Sequence, residues 1–198
     1  MENEAKLIGE VIILQVQRIS LKQGESGQRY YDPAGLLPVQ EVLLSPKGVL
    51  GLRADGAQVV DAHHADHPET RFKGTNGISI GLTGHYDRMR RQFGAHLRDG
   101  IAGENMIIAC DTLYAVDELA GTLVFENPDG TVCRMNNVRS MAPCDEFSHF
   151  AQQSAERLPA AVLKDTLQFL DDGTRGFALS LIETEGRIVL GAKITLLP

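Results

Sequence analysis

Thr122-Leu123-Val124-Phe125-Glu126-Asn127-Pro128-Asp129-Gly130-Thr131-Val132-Cys133-Arg134-Met135-Asn136-Asn137 decides the fold class. Two runs rich in β-branched and aromatic residues flank a turn in which proline presets one backbone angle and glycine accepts the left-handed position, so the stretch predicts a β-hairpin. Its second arm leads into Arg139-Ser140-Met141-Ala142-Pro143-Cys144. A proline ends ladder pairing and biases its predecessor toward an extended conformation, which predicts that Cys144 is presented at a rim or cleft just past the hairpin arm. A buried, inert thiol is the competing reading.

Outward from the hairpin the strand signals continue. Residues 9–21 are rich in β-branched positions and predict the first strand, residues 39–44 a short second one closed by Ser45-Pro46-Lys47-Gly48, and 24–35 a long loop. Gly103-Glu104-Asn105 is a glycine turn feeding the apolar strand Met106-Ile107-Ile108-Ala109-Cys110. Toward the C-terminus, 177–183, 187–190 and 193–197 read as strands, the first two joined as another hairpin through Thr184-Glu185-Gly186.

Two helices are expected. Thr83 is a candidate N-cap for a segment with Tyr86, Met89, Phe93 and Leu97 on one face, stopped by Gly100, with its arginines read as a solvated face. Pro159 suits a first helical position before Leu163, Leu167 and Leu170, with Gly173 as the stop. Residues 51–77 lose apolar periodicity and read as a surface excursion. Within it His63 and His67 would share a helix face, but neither helix pattern nor metal-binding context surrounds them, so a solvated loop is favoured. No linker or repeat divides the chain, and residues 1–198 read as one mostly β domain.

Composition excludes several classes. At 198 residues the chain can bury about 70% of the surface its unfolded form exposes. A net charge of −7 argues against a nucleic-acid surface. No apolar run approaches the roughly 18 residues of a membrane span, and the acidic start Met1-Glu2-Asn3-Glu4 lacks the features of a signal or transit peptide, so a soluble, cytoplasmic protein is expected. Cys110, Cys133 and Cys144 are odd in number and without metal-site spacing; a disulfide framework is not expected, and Cys110 and Cys133 fall inside predicted strands.

Gly103-Glu104-Asn105 before an apolar strand, Pro143-Cys144 at the end of a later one, and Gly173-Thr174-Arg175-Gly176-Phe177 followed by Arg187-Ile188-Val189-Leu190-Gly191-Ala192-Lys193-Ile194 form an ordered set. In order and separation they resemble the MOSC domain, named after the C-terminal domain of molybdenum cofactor sulfurase. The resemblance implies a mixed β-barrel similar to the barrel domain of pyruvate kinase. It also implies sulfur transfer or binding of a molybdenum-pterin cofactor, with Cys144 as persulfide carrier or molybdenum ligand. Both roles use a thiolate.

Arg53 or Arg139 would contact an anionic group, and Glu104 and Asn105 would shape the pocket; simple turn chemistry, with Glu104 exposed, is the alternative for the last two. Many family members carry a Gly-Asp-Arg-His-like stretch, of which only Gly51 and Arg53 carry over here. The chain is too short for the sulfurase's pyridoxal-dependent domain, so sulfur would come from a partner such as a cysteine desulfurase, and a molybdoenzyme or electron-transfer partner is a further expectation. Two alternatives stand beside the carrier: a molybdenum-dependent reductase of N-hydroxylated compounds, and a non-catalytic interaction module on a degenerate barrel.

Overall fold

The computed structural model describes residues 5–198; Met1 to Glu4, part of the acidic start, lie outside the described residues. Among the described residues fourteen strands and three α-helices follow one another. The strands are β1 (Lys6–Gln17), β2 (Lys22–Gln23), β3 (Tyr30–Tyr31), β4 (Leu36–Pro38), β5 (Glu41–Ser45), β6 (Gly48–Leu52), β7 (Gln58–Val60), β8 (Ile78–Leu82), β9 (Met106–Ala109), β10 (Thr122–Glu126), β11 (Val132–Ser140), β12 (Phe177–Leu181), β13 (Gly186–Val189) and β14 (Lys193–Leu197). The helices are α1 (Thr83–Phe93), α2 (Asp145–Ala151) and α3 (Ala160–Leu170).

Seven strands close into a mixed barrel in the order β1-β9-β8-β12-β11-β10-β14, with β14 returning to β1. The β8–β9 pair is parallel and the other neighbours are antiparallel. Closure depends on β1, which pairs with β14 early in its length, with β9 in its middle and with β4 at its end. Irregularities after Leu7 and Val11 shift its register. A bulge bends and twists a strand, which is what wrapping one strand around several partners requires. A second sheet, β13-β5-β6-β7, adds Val42, Leu44, Val49 and Ile188 to the barrel's apolar interior.

The apolar run of β9 is buried on both faces. Met106 and Ile108 join the barrel core, while Ile107 between them joins a second core with Tyr86 and Met89 of α1, Phe147 of α2 and Tyr31 of β3. Alternation along the strand thus feeds two cores rather than one core and solvent.

Several expectations need correction. The predicted hairpin of residues 177–190 does not form: Ile182 stays with β11 by donating to the Arg134 carbonyl, and the Glu183 carboxylate accepts the Arg134 N–H and guanidinium. β13 then crosses to pair with β5, and its outer edge is met by Asn127 of the turn, which donates to the Arg187 carbonyl and accepts the Val189 N–H. Leu82, not Thr83, precedes the first turn of α1, because the Thr83 hydroxyl is engaged with the backbone of Cys110. That helix also stops at Gly94, whose φ of 116° breaks it, so Leu97 is buried from an irregular segment.

The surface excursion contains β6, with Gly51 and Leu52, and β7, while 62–67 forms turns rather than a helix face: His67 is held to the Arg18 carbonyl and His64 accepts the Asp66 N–H. The expected long loop, 24–35, contains β3 and is flanked by β2 and β4, and α2 is an element beyond the two expected helices. Among the described residues no helix is long and apolar enough to cross a membrane.

Gly9 shows how closely the barrel strands approach: a Cβ added there would fall on the Ala109 carbonyl of β9. Gly9→Ala is expected to destabilise the protein by about 2 kcal/mol through overpacking against backbone, read as a lower urea midpoint with an unchanged slope.

Candidate functional site

β11 delivers the chain to Ser140, after which the Met141 N–H donates to the Gly176 carbonyl and Arg175 Nη1 donates to the Ala142 carbonyl at 2.9 Å. Pro143 then ends pairing, and Cys144 stands extended (φ −137°, ψ 157°) as the cap residue of α2. Its carbonyl accepts both the N–H and the hydroxyl of Ser148, which fixes the backbone while leaving the thiol out of the cap. Cys144 is half-buried against the second core, whereas Cys110 and Cys133 are buried. Burial first, and then the Glu183 carboxylate, push the Cys133 thiol up to about 12, which removes it from thiolate chemistry at neutral pH.

Acids and one paired base flank the thiol. Glu146 is in ion contact with Lys22 of β2 at 3.2 Å. Burial alone would raise the Glu146 carboxyl, but its own N–H, Lys22 and the nearby Cys144 thiol hold it below its ordinary value. The β2–β3 ribbon therefore brings two side chains to this place, Lys22 and Tyr31, and the Tyr31 hydroxyl donates to the Ile101 carbonyl at 2.7 Å.

Beneath lies a buried polar set. Glu104 is fully inaccessible, its Oε2 accepting from Tyr86 Oη at 2.6 Å, while Tyr86 Oη accepts the Ala102 N–H. Glu104 Oε1 and Arg175 Nε are buried without a hydrogen-bond partner among the described residues. Gly81 and Gly176 leave the space the carboxyl occupies, since a Cβ on either would approach Oε1 within 2.8–2.9 Å. Burial pushes the Glu104 carboxyl up to about 7, against the opposing pull of Tyr86, its own N–H and Arg175. The Arg175 guanidinium also lies over the Phe147 ring, 5.0 Å from its centroid.

The sequence-derived residues divide. Glu104 and Asn105 are both interior, so the exposed-turn alternative for Glu104 is overturned: the glycine before it directs its side chain between β8 and the 171–176 loop. Asn105 serves the framework, accepting from Ser79 N and Oγ and donating to Asp61. Arg53 sits in the β6–β7 turn paired with Asp55 at 3.2 Å, and Arg139 on β11 donates to the Thr75 carbonyl. Neither is bonded to the Cys144 segment. Glu146 is evident in the sequence as an acid just after Cys144, whereas nothing marks Arg175, Tyr31 and Lys22 individually; Arg175 lies inside the Gly173–Phe177 motif, while Lys22 and Tyr31 belong to a stretch without periodicity.

Beside α2 a groove of about 1110 Å³ begins at Tyr31, Asp145 and Glu146 and runs between the turn carrying Arg29 and the segment carrying Glu156 and Arg157. Its floor is aromatic: the Phe150 ring lies 5.2 Å from Tyr31 and 5.6 Å from His96. Among the described residues no cluster of three or more His, Cys, Asp or Glu side chains has the makings of a metal site.

No family model matches the chain, and no curated protein matches it. Solved structures do. The crystal structure of a hypothetical protein matches 97% of this chain and 70% of its own at 14% identity and a TM-score of 0.54. YiiM from Escherichia coli matches 96% and 70% at 13% identity and a TM-score of 0.51. At such identities the likeness shows the fold, and that fold is MOSC-like.

Glu104 and His85 give the stability opposite pH slopes. Folding raises the Glu104 value from 4.5 to about 7, so its contribution is fully present below pH 4.5 and lost as pH rises toward 7, by on the order of 3 kcal/mol. His85, buried with Nδ1 on the Gly173 carbonyl and Nε2 accepting the Tyr114 N–H, is held below its ordinary 6.5 chiefly by burial. Its contribution is present above pH 6.5 and lost as pH falls below it. Glu104→Gln is expected to remove the decline between pH 4.5 and 7 in urea unfolding; an unchanged pH profile would show Glu104 to be ionised in the fold.

Proposed function

We propose that this chain is a sulfur carrier on a MOSC-like barrel, with Cys144 as the atom that accepts sulfane sulfur. One observation supports the reading above the others: of the three thiols, Cys144 alone is partly accessible, held by backbone bonds at a strand exit and followed directly by Asp145 and Glu146, which line a groove. The step is an exchange. Cys144 Sγ attacks the outer sulfur of a donor persulfide, the Sγ–S bond forms as the donor S–S bond breaks, and the donor sulfur leaves with the electron pair and takes up the proton that Cys144 releases. No external oxidant or reductant enters.

The molybdenum-pterin reading, and with it the N-hydroxyl reductase, fits these residues poorly. An anionic cofactor tail calls for cations converging on the thiol. Here Arg53 and Arg139 are bonded elsewhere, Arg175 is committed to the Ala142 carbonyl and Lys22 is paired with Glu146; Arg29 and Arg157 of the neighbouring groove are outnumbered there by Asp145, Glu146 and Glu156, two of which follow the cysteine directly, so no net positive charge faces the thiol. We derive no step through that group.

The carrier reading is tested by incubating the protein with a cysteine desulfurase and cysteine. A gain of one sulfur atom by intact mass is expected, reversed by a thiol reductant and absent in Cys144→Ala. A gain that persists in the variant overturns the assignment. Absence of any gain in the parent protein leaves the non-catalytic interaction module as the better account of the barrel.

A further inference from the structure

The groove beside α2 is more than a surface irregularity, because one of its walls and its floor are held in place from within. His149 Nδ1 bonds the Asp145 carbonyl at 2.7 Å, and its Nε2 accepts the Leu158 N–H at 3.0 Å, so one imidazole ties the 152–158 segment to the start of α2. Ser154 N bonds the His149 carbonyl, and Ser154 Oγ the Glu156 carbonyl at 2.7 Å. On the floor, His96 Nε2 meets the Phe150 carbonyl and its Nδ1 meets the Gln153 amide. These polar groups are already satisfied. They serve as scaffold and have little left to offer a ligand.

The charged side chains of the walls differ. Arg29, Arg157, Asp145 and Glu156 all line the groove, and none of the four side chains makes an ion pair or hydrogen bond among the described residues. Two guanidinium groups suit carboxylates, and two carboxylates suit an ammonium group. Tyr31 and Phe150 between them offer faces for a chain of peptide bonds and methylenes. At about 1110 Å³ the groove sits at the upper end of small-molecule pockets, enough for a tripeptide. Its lining includes Asp145, the residue after Cys144.

We propose that the groove is a binding site for a short thiol-bearing peptide carrying both an ammonium group and carboxylates, of which glutathione is the representative. The arginines take the carboxylates, Asp145 and Glu156 take the ammonium group, and the thiol of the central cysteine points toward Cys144. This names the class of small thiol that would bring sulfur to Cys144 or take it away, and to that extent it rests on the carrier reading. The binding itself does not require the transfer.

The test uses Cys144→Ala protein, so that no covalent exchange contributes, titrated with reduced glutathione by calorimetry or ligand-observed NMR. Saturable binding is expected, weakened about tenfold or more when Arg29→Ala and Arg157→Ala are combined. The glutathione diethyl ester, which lacks both free carboxylates, is expected to bind as weakly to the parent as glutathione does to the double variant. Both arginines are exposed, so the substitutions leave the core untouched. Failure to saturate in the millimolar range, or equal affinity of the ester or of the double variant, overturns the proposal. The carrier reading is decided separately by the mass gain with a desulfurase: glutathione binding without that gain leaves the groove standing and removes the carrier.

Discussion

The Asn105 amide is the joint on which the barrel turns. Its carbonyl oxygen accepts two bonds from Ser79 on β8, and its amide nitrogen donates to the Asp61 carboxylate and, at 3.5 Å, to the Gln15 carbonyl of β1. Asp61, nearly inaccessible, also accepts the Gln17 N–H and the His63 N–H. One side chain thus links the parallel β8–β9 junction, the longest strand and the loop leaving the second sheet. Gln15 and Gln17 extend the same logic by donating to the carbonyls of Gly100, Glu104 and Gly103. A parallel pair needs a crossover with an irregular return, and irregular backbone buried in a barrel wall must find partners somewhere. These amides supply them.

That framework explains why Glu104 is tolerated. The segment 100–105 is pinned by side chains from β1, so Glu104 is carried into the space left by Gly81 and Gly176 whether or not a charge is welcome there. The carboxyl answers by taking up a proton more readily and by leaning on Tyr86. Cys144 lies above this set at the edge of the second core, where Arg175 links the two levels by bonding the carbonyls of Ala142 and, at 3.5 Å, Ala102. The site is therefore a layered one: a rigid polar base, an apolar middle built by Tyr31, Phe147 and Phe150, and a thiol at the rim.

Much of the barrel was legible because its strands carry local signals. The Asn127–Gly130 turn, the double-sided apolar run after Asn105 and the exit at Pro143 all say in a few residues what the structure does with them. What could not be read was pairing at long range. Nothing near Gly186 announces that its partner is Leu44, since the selection is made by Arg187 reaching Glu41 and Asp129 and by Asn127 meeting the strand edge. Helix α2 escaped because seven residues are too few for a helical period to show. The candidate site was half visible: Cys144 through its proline, Glu104 and Asn105 through their glycine. Arg175, Lys22 and Tyr31 act only by being brought from distant parts of the chain.

The return of β14 to β1 also bears on how the chain is made. The ring is sealed by the last strand pairing with the first, and β14 lies between β1 and β10. Until that strand emerges and pairs, both of its neighbours keep an open edge, with backbone donors and acceptors facing water or another chain. The ring therefore closes only once β14 has emerged, and before that the nascent polypeptide passes through a stage in which sheet edges are its most exposed chemistry.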